Sequence, residues 1–193
     1  MIRSTPQKTA DYLEIIADRS KVLQTLVEQF YELSIIEDSD TELALEPVDI
    51  TSILTNCLLG SYALFQEKGI QPKSCLPQQA VMVIGNAQAL ERIFQNLIQN
   101  ALKFAKHNIS ISLVDEGTYC TFIISNDAEN LSDADIDYLF ERFYTADKSR
   151  TYGNTGLGLY IVKRLLEKMQ GKIGDTKLVN GHFSSEIVLL KHR

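Results

Sequence analysis

Gly153-Asn154-Thr155-Gly156-Leu157-Gly158-Leu159 is the stretch on which the reading of this chain turns. A polar, charged run precedes it, Thr145-Ala146-Asp147-Lys148-Ser149-Arg150. Tyr160-Ile161-Val162-Lys163-Arg164-Leu165-Leu166-Glu167-Lys168-Met169 follows, with apolar residues at helical spacing. Two glycines therefore stand where a loop becomes a helix. There the first backbone N–H groups lack intrahelical partners, and the positive end of the dipole favours an anion. Gly156 and Gly158 carry no Cβ, which predicts close approach of a bulky phosphate to the backbone. The same pattern also serves as an ordinary glycine-rich helix start, so corroboration has to come from the rest of the chain.

The chain has 193 residues, enough for one ordinary domain plus an appendage, and 45% of them are hydrophobic, enough for a real core. A formal net charge of −6 argues against a general nucleic-acid binder. No apolar run approaches the roughly 20 residues of a membrane span, and no signal peptide opens the chain. Cys57, Cys75 and Cys120 are far apart and lack CxxC spacing. They suit a reducing cytoplasm and are expected to pack as small apolar groups. His107, His182 and His192 form no ligand cluster, which argues against a zinc or haem site.

Residues from about Thr9 to Glu37 read as one long helix. Tyr12, Ile16, Arg19, Leu23, Leu26, Phe30 and Leu33 recur in alternating steps of four and three, a heptad seam that asks for a partner helix. An amphipathic helix packed on its own domain is the other reading. Asp38-Ser39-Asp40-Thr41-Glu42 is acidic without an apolar member and reads as a linker, dividing a helix over residues 1–40 from a domain over 46–193. In that domain Glu46 to Ile50 is a short extended piece, and helical spacing runs from Ile53 to a stop at Gly69. Gln79 to Ile84 reads as a strand.

Asn86 caps the next helix, whose apolar face is Leu90, Ile93, Phe94, Leu97, Ala101 and Phe104. At about 100° per residue, Asn96, Asn100 and Lys103 fall within roughly 60° of one another, beside that face. Ile109 to Ser125 reads as a β-hairpin turning at Asp115-Glu116-Gly117, and Asn126 to Asn130 as a loop. A helix capped by Ser132 and Asp135 is expected to end at Phe140 to Tyr144. Beyond the helix at 156–169, Lys172 to Val179 and Phe183 to Leu190 flank the hairpin signal Asn180-Gly181. These elements predict an α+β fold, a two-layer sandwich with three main helices on one side of a mixed sheet of about five strands, preceded by the long helix.

Three motifs then resemble the ATP-binding domain of sensor histidine kinases, within the gyrase/Hsp90/histidine-kinase ATPase group. They are Asn96-Leu97-Ile98-Gln99-Asn100-Ala101-Leu102-Lys103-Phe104 (N box), Leu139-Phe140-Glu141-Arg142-Phe143-Tyr144 (F box) and Thr155-Gly156-Leu157-Gly158-Leu159 (second glycine box). The resemblance covers about residues 46–191, and residues 9–37 look like the second helix of the family's dimerisation hairpin. It implies a Bergerat-type ATPase fold binding ATP and Mg²⁺. Asn100 would give an amide oxygen to Mg²⁺, a hard cation that shares oxygen ligands with phosphates. Lys103 would neutralise phosphate charge. Asn96 is the implied catalytic residue, orienting groups near the γ-phosphate. Phe104 would lie near adenine and ribose, with Asn126 and Leu131 completing the nucleotide contacts. Thr155 and the backbone of Gly156, Leu157, Gly158 and Leu159 would hold the phosphates. Residues 145–154 would form a mobile lid, from which Arg150 either reaches the γ-phosphate or stays solvated.

The match departs from the family at two places. Its first glycine box reads Asp-x-Gly-x-Gly, whereas Asn126 stands at the aspartate position and Ala128 and Asn130 replace the glycines. An asparagine oxygen still accepts a hydrogen bond from the adenine amino group, but more weakly than a carboxylate, so reduced adenine affinity is expected. Thr145 stands where an arginine is common. No histidine precedes Tyr12, so the phosphoryl acceptor is expected on a segment this chain lacks. The implied partners are a histidine-bearing dimerisation helix, a response regulator receiver domain and a second copy in a homodimer. The implied setting is the cytoplasmic portion of a membrane-anchored kinase. The alternative is a degenerate ATPase-fold docking or dimerisation module without nucleotide turnover.

Overall fold

A computed structural model describes residues 6–38, 42–129, 131–146 and 155–192. Linker positions 39–41, Asn130 and the lid stretch 147–154 with Arg150 lie outside the described residues. Helix α1 (Pro6–Glu37) leads the chain. The heptad seam divides along it: Leu33 is buried and Leu26 half-buried, whereas Tyr12, Ile16, Leu23 and Phe30 are exposed. Ile36, outside the seam, is also buried. The last third of α1 therefore docks on its own chain, and the rest leaves its apolar edge open.

Strand β1 (Glu46–Asp49) is followed directly by α2 (Ile50–Gly60), whose start is capped by the Asp49 carboxylate accepting from Thr51 and Ser52 N–H at 3.0 and 3.2 Å. The single helix expected to Gly69 is two, because α3 (Tyr62–Lys68) begins after a break at Ser61. The Ser61 hydroxyl donates to the Cys57 carbonyl at 2.9 Å, a local bond that bends a helix already weakened by Gly60. Gly69 ends α3 in the left-handed conformation, φ 66°.

A three-residue edge strand that periodicity did not reveal, β2 (Lys73–Cys75), comes next. The strand expected from Gln79 begins instead at Met82, as β3 (Met82–Gly85). Val81 is withheld from the ladder because its carbonyl accepts from Ile50 N–H at 3.0 Å and its N–H donates to the Thr51 hydroxyl at 3.2 Å. β3 pairs antiparallel with β1 as a separate two-stranded sheet.

Helix α4 (Ala87–Phe104) has the expected cap, with Asn86 Oδ1 accepting from Ala89 N–H at 3.0 Å. Its face buries Leu90, Ile93, Phe94, Leu97 and Ala101, but Phe104, expected on that face, is 40% exposed. The hairpin β4 (Ile109–Asp115) and β5 (Tyr119–Asp127) follows. Asn126 and Asp127, read as loop, continue β5 opposite Phe183 and His182. The helix α5 (Asp133–Ile136) keeps the Ser132–Asp135 cap but is one turn long; 137–143 are turns and bends rather than helix. Helix α6 (Gly158–Lys168) precedes the hairpin β6 (Lys172–Val179) and β7 (His182–Leu190), joined by Asn180 and Gly181 at φ 51° and 74°.

The main sheet has the order β2-β4-β5-β7-β6, parallel only between β2 and β4. Ile111 and Leu113 of β4, Phe122 and Ile124 of β5, and Ile187 and Leu189 of β7 bury one face. Phe94 of α4 meets Phe122 there, ring centroids 4.9 Å apart. The opposite face is mixed, carrying Val114, Ile123 and Val188 beside Ser110 and Ser125, whose hydroxyls lie 2.7 Å apart. The result is a two-layer α/β sandwich with a five-stranded mixed sheet. Cys57 and Cys120 pack in the core as expected, and burial pushes their thiols up to about 11 and about 12. Cys75 departs from that expectation and is exposed on the edge strand. Among the described residues no helix is long and apolar enough to cross a membrane.

Two local joints hold the layers in register. At the end of β5 the buried Asp127 carboxylate accepts N–H bonds from Lys106, His107 and Asn108, the closest at 2.8 Å, clamping the reversal after α4. Burial pushes this carboxyl up, but the N–H groups of Asn108, Lys106 and His107 outweigh it and hold it below the ordinary 3.8. At the other joint Gly156 has φ +67°, and a Cβ there would lie 2.5 Å from the Phe143 carbonyl carbon. The Phe143 N–H donates to the Gly156 carbonyl at 3.0 Å, so two backbones touch where no side chain fits.

Asp127→Asn is expected to lower stability by about 1–3 kcal/mol at pH 7. A carboxyl depressed in the folded state stabilises above its unfolded value, so the difference should shrink as pH falls below about 4. Urea unfolding across pH checks this, and a pH-independent difference would remove the clamp. Gly156→Ala should cost about 3–5 kcal/mol by adding overlap to strain. Gly117→Ala, at φ +79° with nothing within 4 Å, isolates the strain and should cost about 1–2 kcal/mol. Equal losses would show that Gly156 is not a packing joint.

Candidate functional site

Helix α4 carries the first half of the site. Asn96 is 8% exposed, and its Nδ2 donates to the Arg92 carbonyl one turn back at 2.9 Å. Its Oδ1 is turned toward the start of α6: a Cβ built on Gly158 would lie 3.0 Å from it. The N box and the second glycine box, with Asn96 and Gly158 62 residues apart, therefore lie side by side. Asn100 lies one turn farther along α4, about 40° around the axis, and is half-exposed. Lys103 and Phe104 occupy the exposed end of the same helix, the ammonium 6.0 Å from the ring centroid.

The second half is the turn into α6. Leu157 is the N-cap residue and supplies no side-chain cap, so the first amides of α6 are met by no side chain of their own cap. Leu157 itself is fully buried and Leu159 half-buried against the core, so their side chains anchor the turn. The expectation that Gly156 and Gly158 leave room for phosphate needs amendment. The missing Cβ of Gly156 faces the Phe143–Tyr144 backbone and that of Gly158 faces Asn96, so both glycines permit protein packing. Thr155 Oγ1 donates to Gln29 Oε1 at 2.6 Å and accepts from Leu157 N–H at 3.3 Å.

Asn126 is the last residue but one of β5, 4% exposed, with Nδ2 donating to the Asp127 carbonyl at 2.8 Å. That bond orients the amide with Oδ1 as its uncommitted acceptor edge. Asp127 cannot substitute as the missing acidic residue, since its oxygens are taken by the 106–108 amides. Ala128 sits where the family has glycine without a positive φ, its N–H donating to the Gly181 carbonyl at 2.7 Å and its carbonyl accepting from half-buried Leu131. The lost glycine therefore carries no strain at this position.

The F box forms the wall behind the turn. Phe140 is buried, Glu141 pairs with Lys163 at 2.8 Å, and Phe143 adopts φ 62°, rare for a bulky residue. Tyr144 donates to Asp135 at 2.5 Å, and that bond, then burial, pushes its hydroxyl up to about 12. Sequence reasoning missed the polar edge of α1 that reaches this region, Gln29, Glu32 and Glu37. Glu32 accepts a bidentate bond from Arg92, Nε to Oε1 at 2.7 Å. Glu37 meets Arg142 at 3.6 Å and the Tyr160 hydroxyl at 2.9 Å. Their only sequence signal was position: Gln29 and Glu32 flank the heptad seam, and Glu37 stands where its next step falls. Among the described residues no cluster of three or more His, Cys, Asp or Glu is placed to hold a metal ion.

Residues 85–186 match the family described as histidine kinase-, DNA gyrase B-, and HSP90-like ATPase. The sensor histidine kinase YcbM of Bacillus subtilis is 32% identical over 162 residues, which is 82% of this chain and 52% of that protein. The chain spans about half the length of two of the curated relatives it matches, 52% and 51%, and only 19% of another. Full-length ShkA in complex with AMPPNP shares the fold at 21% identity, TM-score 0.77, over 100% of this chain and 40% of that one. Histidine kinase ThkA in complex with the response regulator TrrA shares it at 18% identity, TM-score 0.78, over 98% and 53%. With an uncapped helix start set against Asn96 and this family match over more than half its residues, the chain belongs to the histidine kinase-, gyrase B- and HSP90-like ATPases, as an ATP-binding catalytic domain of the sensor histidine kinase kind.

Proposed function

We propose that this chain binds Mg·ATP between α4 and the start of α6 and transfers the γ-phosphoryl group to a histidine on a separate segment, as the catalytic part of a two-component sensor kinase. The observation that carries this reading is the placement of Asn96 Oδ1 beside Gly158, which sets an amide edge against a helix start whose cap residue supplies no side-chain acceptor. Asn96 orients the reacting end of the triphosphate, and its bond to the Arg92 carbonyl fixes which amide atom faces the site. Lys103 brings positive charge, and Phe104 offers an exposed ring for the base and ribose.

The donor set suits Mg²⁺: Asn100 offers one neutral oxygen, and this cation keeps most of its shell as water and phosphate oxygens. Bound there, Mg²⁺ would neutralise charge on the phosphates. Asn126 Oδ1 accepts from the adenine amino group, with Leu131 beside it. Arg150 and the rest of the lid would act from outside the described residues. The histidine-bearing helix finds a fitting partner in the open α1 edge at Tyr12, Ile16, Leu23 and Phe30, and a second copy of the chain is a further candidate for that edge. A receiver domain is the onward partner by analogy with ThkA, whose structure includes its response regulator. The setting consistent with this role is the cytoplasmic part of a longer, membrane-anchored kinase.

A docking module without turnover is favoured by one observation, the replacement of the first glycine box by Asn126 and Ala128. Calorimetric titration separates the two readings. ATP should bind in the presence of Mg²⁺, and Asn100→Ala should weaken that binding about tenfold, or ~1.4 kcal/mol. The unliganded melting temperature should stay unchanged, because Asn100 is half-exposed. Absence of binding at millimolar ATP with the fold intact would leave the docking module.

A further inference from the structure

Thr155 has one hydroxyl proton, and in this structure that proton is committed to α1. Oγ1 donates to Gln29 Oε1 at 2.6 Å and accepts from the Leu157 N–H at 3.3 Å. A phosphate oxygen only accepts, so Thr155 donates to a phosphate or to Gln29, never to both. The Leu157 amide, at the mouth of α6, is likewise turned to Thr155 rather than outward.

Gln29 does not act alone. One turn on, Glu32 holds Arg92, whose carbonyl anchors Asn96. Glu37 reaches Arg142 at 3.6 Å and Tyr160 at 2.9 Å, and the Arg142 guanidinium lies 5.9 and 5.1 Å from the Phe30 and Phe143 rings. Lys168 donates to the Asp38 carbonyl at 3.0 Å. One edge of α1 thus touches α4, the F box, the Thr155 turn and α6, which are the elements that build the site. Buried Leu33 and Ile36 hold that edge down, while the polar contacts are half-exposed and individually weak.

We propose that residues 29–37 of α1 are a latch on the nucleotide site, competing with the triphosphate for the Thr155 hydroxyl so that α1 docking and nucleotide binding oppose each other. The inference rests on the nucleotide reading given above. Opposition is a coupling free energy and therefore reciprocal: loosening the latch tightens nucleotide binding, and nucleotide loosens the latch.

Gln29→Ala removes the competing acceptor and leaves Leu33 and Ile36 in place. By calorimetry with Mg²⁺ and ATP, the dissociation constant should fall about fivefold relative to the unaltered chain. In the unaltered chain, Mg·ATP should speed amide hydrogen exchange at residues 29–37. Equal or weaker ATP binding by Gln29→Ala, or unchanged or slowed exchange over 29–37 on nucleotide addition, overturns the latch while leaving the nucleotide site standing. Failure of both proteins to bind millimolar ATP instead removes the nucleotide reading, and the latch with it.

Discussion

The site depends on one juxtaposition, that of Asn96 Oδ1 with the open side of Gly158, where a Cβ would lie 3.0 Å from the amide oxygen. Such a Cβ would crowd that amide, so glycine eases the convergence of α4 and α6 there. That convergence sets the amide of a buried asparagine against donors that their own helix leaves unsatisfied. Around it, Phe94 on Phe122 ties α4 to the sheet, and Ile161, Val162, Leu165 and Leu166 tie α6 to the same core. The polar contact is placed by apolar packing on both sides of it.

Behind that contact the molecule uses backbone against backbone. Gly156 lets the F box lie on the turn into α6, with Phe143 driven into a left-handed conformation by the same abutment. Asp127 performs the corresponding task at the far end of α4 by gathering three consecutive amides. Both devices fix loops that a side-chain core alone would leave loose. They also explain how Asn126 and Ala128 coexist with an intact fold: the glycine lost at 128 stood where no positive φ is required.

The helices and hairpins were legible because periodicity reports burial, and the faces at Leu90 to Ala101 and Ile109 to Leu113 have one dry side each. Asn86 and Asn180-Gly181 were legible because their roles are local, a cap and a turn. Tertiary bonds escaped notice. Val81 leaves its strand for Thr51, Ser61 breaks a helix at the Cys57 carbonyl, and the F box coils into turns against Gly156. In the candidate site, helical spacing grouped Asn96, Asn100 and Lys103 and the family resemblance named the boxes, but the packing purpose of the two glycines was not legible. Their missing Cβ atoms face protein, a fact of packing between distant segments. The Gln29–Thr155 bond spans 126 residues and has no sequence signature.

Nuclear magnetic resonance of the labelled chain with a non-hydrolysable ATP analogue and Mg²⁺ tests the central claim most directly. The side-chain amides of Asn96 and Asn100 and the backbone amide of Gly158 should shift together along a single saturating curve. Shifts confined to one helix, or none at saturating analogue, would contradict a shared pocket between α4 and α6.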